Sequence, residues 1–205
     1  MEQDLRAELL RRADVDQAAR EAGDPDTVYR ADAENLPWLK QVISEHGWPG
    51  RSLVGEDGAA AAWLLAQHAD SDPAFQRSCL NLLTAAAEAG DATRSHVAYL
   101  TDRVLLAEGQ PQEFGTQVTG RDGQWMPRHL RDPDHVDRRR AAMSLGPLAD
   151  YIAHFEKDGP PAPVALKCPH CGQLVHFWPS DPGEDVAVDC AGCGRTLRIR
   201  MGPPG

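Results

Sequence analysis

Two short cysteine pairs near the C-terminus limit what this chain can become more than anything else in it. Cys168-Pro169-His170-Cys171-Gly172 and Cys190-Ala191-Gly192-Cys193-Gly194 repeat one pattern, with eighteen residues between the pairs. Two residues between paired cysteines let both thiolates reach one tetrahedral ion, and the glycine that follows permits the left-handed turn that closes each loop. The spacing predicts a zinc ribbon with Cys168, Cys171, Cys190 and Cys193 as ligands. Four thiolates leave no open position for water, so the zinc is expected to be structural, and His170 and His176 are read as bystanders. Leu174–Trp178, Val186–Val188 and Thr196–Arg200 are expected as three strands, the first two joined by Pro179–Gly183. So short a segment buries little apolar area, whereas structural zinc contributes about 10–16 kcal/mol in small peptides, so metal should decide whether it folds.

Ahead of the ribbon, Asp158-Gly159-Pro160-Pro161-Ala162-Pro163 carries no apolar periodicity and reads as an extended linker. The expected organisation is a helical domain over 1–157, a linker over 158–165, and a ribbon with a short disordered tail over 166–205. The first part is mainly α and bundle-like. Helical spacing marks segments at Glu2–Glu21, from Pro25 to about Glu45, about Gly58–His68, from Pro73 behind an Asp72 cap, from about Ser95, at Asp134–Ser144 and at Pro147–Lys157. The first of these is weakly amphipathic and expected to pack loosely. Phe114–Met126, with Gly120-Arg121-Asp122-Gly123 inside it, reads as a β-hairpin insertion. Cys79 lies on an apolar stripe and reads as a buried core thiol.

Charge narrows the partners. Lys and Arg total 21 against 31 Asp and Glu, a formal charge of −10, and the excess acid lies before residue 164 because the rest carries four of each sign. Such a balance argues against nucleic acid and anionic membrane. Arg198, Arg200, Phe177 and Trp178 are the ribbon's only features that suit nucleic acid, so a protein partner is the better expectation. No apolar run is long enough to span a membrane, and the acidic start Met1-Glu2-Gln3-Asp4 is unlike a secretory signal, so a cytoplasmic location is expected.

In the helical part, His46 and His68 fall on apolar stripes near helix ends and are expected to point inward. Asp70 has no capping duty, since Asp72 serves Pro73, and is free to orient an imidazole. Arg103 can clamp an anion or pair with Asp70 or Asp102. His46, His68, Asp70 and Arg103 are therefore the candidate catalytic residues, and Gln76, Asp102, Gln112 and Gln117 the candidate substrate contacts for a small polar or anionic ligand. The Asp137-Arg138-Arg139-Arg140 run reads as a solvated helix face or a pair with Asp134.

His46-Gly47-Trp48-Pro49, Val54-Gly55, Gln67-His68-Ala69-Asp70, Tyr99-Leu100-Thr101-Asp102-Arg103-Val104, Pro111-Gln112 and Gly115-Thr116-Gln117 follow one another in an order that resembles an uncharacterised bacterial family, domain of unknown function 6624. The resemblance covers about 33–155 and brings no established activity with it; the ribbon looks like an added module. The family often has Tyr before Gly-Thr-Gln, where this chain has Phe114, so a phenol there is not essential. Two functions remain in view. One is a hydrolase or group-transfer enzyme using a His/Asp/Arg pocket. The other is a non-catalytic adaptor whose zinc ribbon docks on a protein or nucleic-acid partner. An open cavity shared by the histidines, Asp70 and Arg103 favours the first; closed, mutually satisfied clusters favour the second.

Overall fold

The computed structural model describes residues 2–157, 159–178 and 185–200. The expected turn at Pro179–Gly183, Asp158 of the linker and the tail beyond Arg200 lie outside the described residues. The chain divides into two compact units, Met1–Val104 and Leu105–Gly205. It is mainly α, as its periodicity predicts, with small antiparallel strand pairs. No described helix is long and apolar enough to cross a membrane.

The first unit holds α1 (Glu2–Ala22), α2 (Pro25–His46), α3 (Arg51–Gln67), α4 (Pro73–Glu88) and most of α5 (Arg94–Ala107). α1 corrects the expectation of loose packing, since it lies along α3 and buries Leu9, Ala13, Asp16 and Ala19, with Leu9 completely enclosed. Small side chains on this stripe meet an α3 rich in buried alanines, and a Cβ at Gly58 would press on Arg6. Close approach of this kind needs no large hydrophobes, and the acid in the middle of the stripe hides it from a hydrophobicity reading. Arg6 closes the pair from outside with two bonds to Asp57, 2.9 and 2.5 Å.

α3 begins about two turns earlier than its apolar pattern suggests and breaks at Gly55, whose φ of 74° only glycine adopts readily. The long regular run therefore restarts at Glu56. Asp72 caps α4 as expected, its Oδ1 accepting from the Phe75 N–H at 3.0 Å. Cys79 is fully enclosed, and burial pushes its thiol up to about 12, in keeping with an inert core residue.

The second unit opens with the hairpin β1 (Val118–Arg121) and β2 (Gln124–Pro127), joined by Asp122-Gly123 with both φ positive. That two-residue turn matches the strand twist, which is why Asp-Gly is favoured there. A 3₁₀ turn at Pro133–His135 leads into α6 (Val136–Ala142), and α7 (Leu148–Glu156) follows. The solvated-face reading of the arginine run fails at Arg140, which is 2% exposed. Its Nε donates to Gly146 O at 2.7 Å, its Nη1 to Phe114 O at 2.6 Å, and its guanidinium lies over the Tyr151 ring. The Glu156–Pro161 connection is not free-standing, because Trp125 Nε1 donates to Gly159 O at 3.0 Å and Gly120 has Pro161 and Trp178 against it.

Among the described residues the ribbon contains four strands, β3 (Val164–Lys167), β4 (Leu174–Phe177), β5 (Asp185–Asp189) and β6 (Thr196–Arg200). They form two antiparallel pairs, β3–β4 and β5–β6, in place of one three-stranded sheet. β3 escapes sequence reading because Val164-Ala165-Leu166-Lys167 abuts the proline-rich linker and is too short for its alternation to register.

Candidate metal centre and polar clusters

Each strand pair of the ribbon presents one cysteine loop, and the two loops are built alike. Gly172 N donates to Cys168 O and Gly194 N to Cys190 O, both at 2.8 Å, with φ of +78° and +70° at the glycines. Cys168 N donates to Gln173 O at 2.8 Å and Cys190 N to Arg195 O at 2.9 Å, which closes each loop onto its outgoing strand. The four sulfurs lie within 4.8 Å of one another. Cys168 and Cys193 Sγ are 3.8 Å apart, and Cys171 and Cys190 Sγ 3.5 Å. A tetrahedral ion with metal–sulfur bonds of about 2.3 Å sets its sulfurs about 3.8 Å apart, so the residues fit a bound metal ion. All five cysteines are free of disulfides. Backbone N–H groups of Cys193 and Gly192 lower the Cys190 pKa, while the neighbouring sulfurs raise those of Cys171 and Cys193, as expected where four thiols crowd together. Cys168 and Cys190 also belong to the ribbon's core with Val175 and Leu197, so the ligands are part of what is packed. His170 is exposed and contacts Arg195, and His176 is exposed on β4, so neither joins the sulfurs.

The candidate residues of the helical body are distributed among separate places. His46 corrects the inward expectation: its side chain is 40% exposed beside Glu45, because α2 ends at Gly47. His68 is held by Asp16, a residue far away in sequence, with Nδ1 2.8 Å from Oδ2. Arg20 Nε also lies 3.0 Å from Nδ1, but one nitrogen cannot accept from Arg20 and donate to Asp16. A carboxylate only accepts, so Nδ1–H is assigned toward Asp16. Arg20 then bridges Asp16 and Asp32 through Nη2, at 3.3 and 2.7 Å. Burial raises the Asp32 pKa, while at Asp16 the His68 contact and Arg20 outweigh burial and lower it. The space among Asp16, Asp32, Asn35 and His68 admits no water.

Asp70 does not orient His68. It joins Arg103, at 3.4 Å, and Gln76, whose Nε2 donates to it at 3.0 Å and to Gln67 O at 3.0 Å. Arg103 Nε donates to Gln67 O as well, at 2.8 Å, so this second cluster caps the last carbonyls of α3. Asp102 is fully buried on α5. In the second unit, Gln112 is completely enclosed and commits its amide to the backbone, with Nε2 donating to Gln117 O at 2.9 Å and Oε1 accepting from Gln117 N at 3.0 Å. Gln117 Nε2 donates to Thr116 Oγ1 at 3.2 Å.

Sequence reading missed Asp16, Arg20 and Asp32 as partners, and it gave no role to His96. The His96 ring stacks on Trp63, centroids 4.0 Å apart and planes 4° from parallel. Burial, then the Arg51 charge, pushes its pKa down from 6.5 to about 4. The fold thus favours the neutral imidazole, and as pH falls from 6.5 to 4 the unfolded chain takes a proton that the folded chain refuses. Stability should fall across that window by at most about 3 kcal/mol, and no further below it on this group's account. An NMR titration of His96, with urea midpoints compared between the native chain and His96→Gln, checks this; a titration near 6.5 contradicts it.

No curated protein and no solved structure matches the chain. Residues 3–159 match the Family of unknown function (DUF6624), a stretch that takes in α1 through α7 and stops before β3. The chain therefore belongs to that family, with its four-cysteine ribbon beyond the matched region.

Proposed function

We propose that this is a cytoplasmic zinc protein in which the helical body is a non-catalytic scaffold and the ribbon docks a protein partner. The observation that carries the reading is that His68, Asp70 and Arg103 are spent on other groups of the body. A hydrolase or group-transferase built on His68, Asp70 and Arg103 needs them to share a cavity with a substrate. Instead His68 is committed to Asp16 in a space without room for water, and Asp70 and Arg103 tie α3 to α4 and α5. Zinc suits the centre because four soft thiolates at tetrahedral spacing are its preferred structural set.

The ribbon's surface favours protein over nucleic acid. Arg198 and Arg200 share the exposed face of β6, but Asp185 sits directly across from Arg200 and Asp189 across from Thr196, so the face is charge-balanced. Leu174 and Val164, 55% and 45% exposed, add apolar area to β4 and β3.

The scaffold reading predicts that His68→Ala destabilises the first unit by about 2–3 kcal/mol in urea, because it removes the nearest partner of a fully buried carboxylate and leaves it to Arg20 and Gln17 alone. Unchanged stability would return His68 to the list of functional groups. Elemental analysis should find one zinc per chain. Cross-linking in the source cells should retain a protein with the native chain and lose it with Cys190→Ser; an identical set of proteins with both would remove the ribbon from docking.

A further inference from the structure

The helical unit has a cleft of about 140 Å³, apart from the metal centre and the His68 cluster, that His96 lines. Ala59, Ala60 and Leu83 form its apolar floor, and Arg51, Thr93 and His96 its polar wall. The wall is held in place from behind. Trp63 stacks on the His96 ring and donates from Nε1 to His96 O at 3.1 Å, which fixes both ring and backbone. Asp91 grips the start of α3, accepting from Ser52 N at 2.6 Å and Ser52 Oγ at 2.9 Å, and a Cβ at Gly50 would overlap its carboxylate. Arg51 donates through Nη2 to Thr93 Oγ1 at 2.7 Å, which aligns two of the three polar groups.

What these groups lack is a partner for the rest of their capacity. Among the described residues neither ring nitrogen of His96 makes a hydrogen bond, and Arg51 has Nε and Nη1 unspent. Because the imidazole is neutral, it offers one N–H and one lone pair. Glu56 is the opposing charge, 4.0 Å from Arg51, but its side chain is 87% exposed at the rim.

We propose that this cleft binds a small oxyanionic group, a carboxylate or a phosphate, with Arg51 as charge partner and Thr93 and His96 as hydrogen-bond partners. Size sets the class. A water needs about 10–15 Å³ and a drug-sized ligand about 300–1,000 Å³. The cleft thus holds an anionic group of a few atoms and not a nucleotide. The site is independent of the metal centre and of the His68 cluster.

The test titrates the full-length native chain with inorganic phosphate and with acetate, against sodium chloride at matched ionic strength, by NMR. Saturable shifts confined to Thr93, His96 and the Trp63 indole are expected. Arg51→Gln should weaken binding about tenfold or more, as loss of a charge-assisted bond does, and Thr93→Val by a few-fold. Tighter phosphate binding assigns a phosphoryl group, and tighter acetate binding a carboxylate. Thr93→Val keeps its side-chain volume, so it serves if Arg51→Gln fails to fold. Shifts equal to those in chloride, or equal in native, Arg51→Gln and Thr93→Val chains, overturn the proposal.

Discussion

Cys190→Ser, or chelation of the metal, is expected to unfold residues 164–200 while the helices of the first unit keep their signals. Of the ribbon's four core residues two are the ligands Cys168 and Cys190, leaving Val175 and Leu197 with partial cover from Leu166 and Val188. Even with Phe177 this is little apolar burial for a segment of such length, so structural metal, worth about 10–16 kcal/mol in small peptides, should decide whether it folds. Without it the sulfurs, 3.5–3.8 Å apart in facing pairs, would also repel once ionised. The readout is a ¹H–¹⁵N spectrum with a chromophoric assay of released zinc. Trp125 should respond too, because its indole is bonded to Gly159 O and its strand partner Gly120 lies against Pro161 and Trp178. His170→Ala and His176→Gln should keep the metal. Collapse of α1–α5 in the same transition would show that the ribbon does not fold as a separate module.

Much of this architecture is legible along the chain, because the signals that specify it are local. Cysteine spacing names four ligands, Asp72-Pro73 starts α4, and Asp122-Gly123 turns the hairpin. The polar interior is not local. His68 finds Asp16 across fifty-two positions, and Arg20 finds Asp32 across the break between α1 and α2, which gives no hint of direction. A buried acid on a stripe of alanines looks like an exposed helix, so α1 reads as peripheral although it is central. Nearness in sequence likewise points Asp70 at His68, two residues away, whereas the chain turns at the end of α3 and delivers Asp70 to α4 and α5. His96 gives no periodic signal because its partners, Trp63 and Arg51, come from another helix.

Arg140 is the other position where a single change should have a large effect. A guanidinium 2% exposed would ordinarily be matched by a carboxylate, yet Arg140 makes no ion pair among the described residues. Its charge is met instead by two carbonyl dipoles, Gly146 O and Phe114 O, and by the face of Tyr151, 5.2 Å from the ring centroid. A guanidinium tolerates this because it is delocalised, weakly hydrated and flat enough to stack while donating in its own plane. The loop it secures is fastened at nearly every carbonyl, since Arg139 Nε takes Glu113 O at 2.7 Å, Tyr151 OH takes Thr116 O at 2.9 Å and Gln112 takes Gln117 O. Gly115 in that loop has φ +67°, and a Cβ there would sit 2.9 Å from Leu148. Arg140→Met keeps much of the volume but takes the charge-assisted donors from Phe114 O and Gly146 O and the cation from the Tyr151 face, which should cost about 2–3 kcal/mol. Arg140→Lys should recover little, because an ammonium can neither span both carbonyls nor stack on the ring. Tyr151→Phe, which removes one bond and keeps the ring, should cost about 1 kcal/mol. Urea unfolding followed through Trp125 measures all three. If Arg140→Met unfolds at the native midpoint, the guanidinium does not hold this loop, and the ranking Met, Lys, Phe loses its basis.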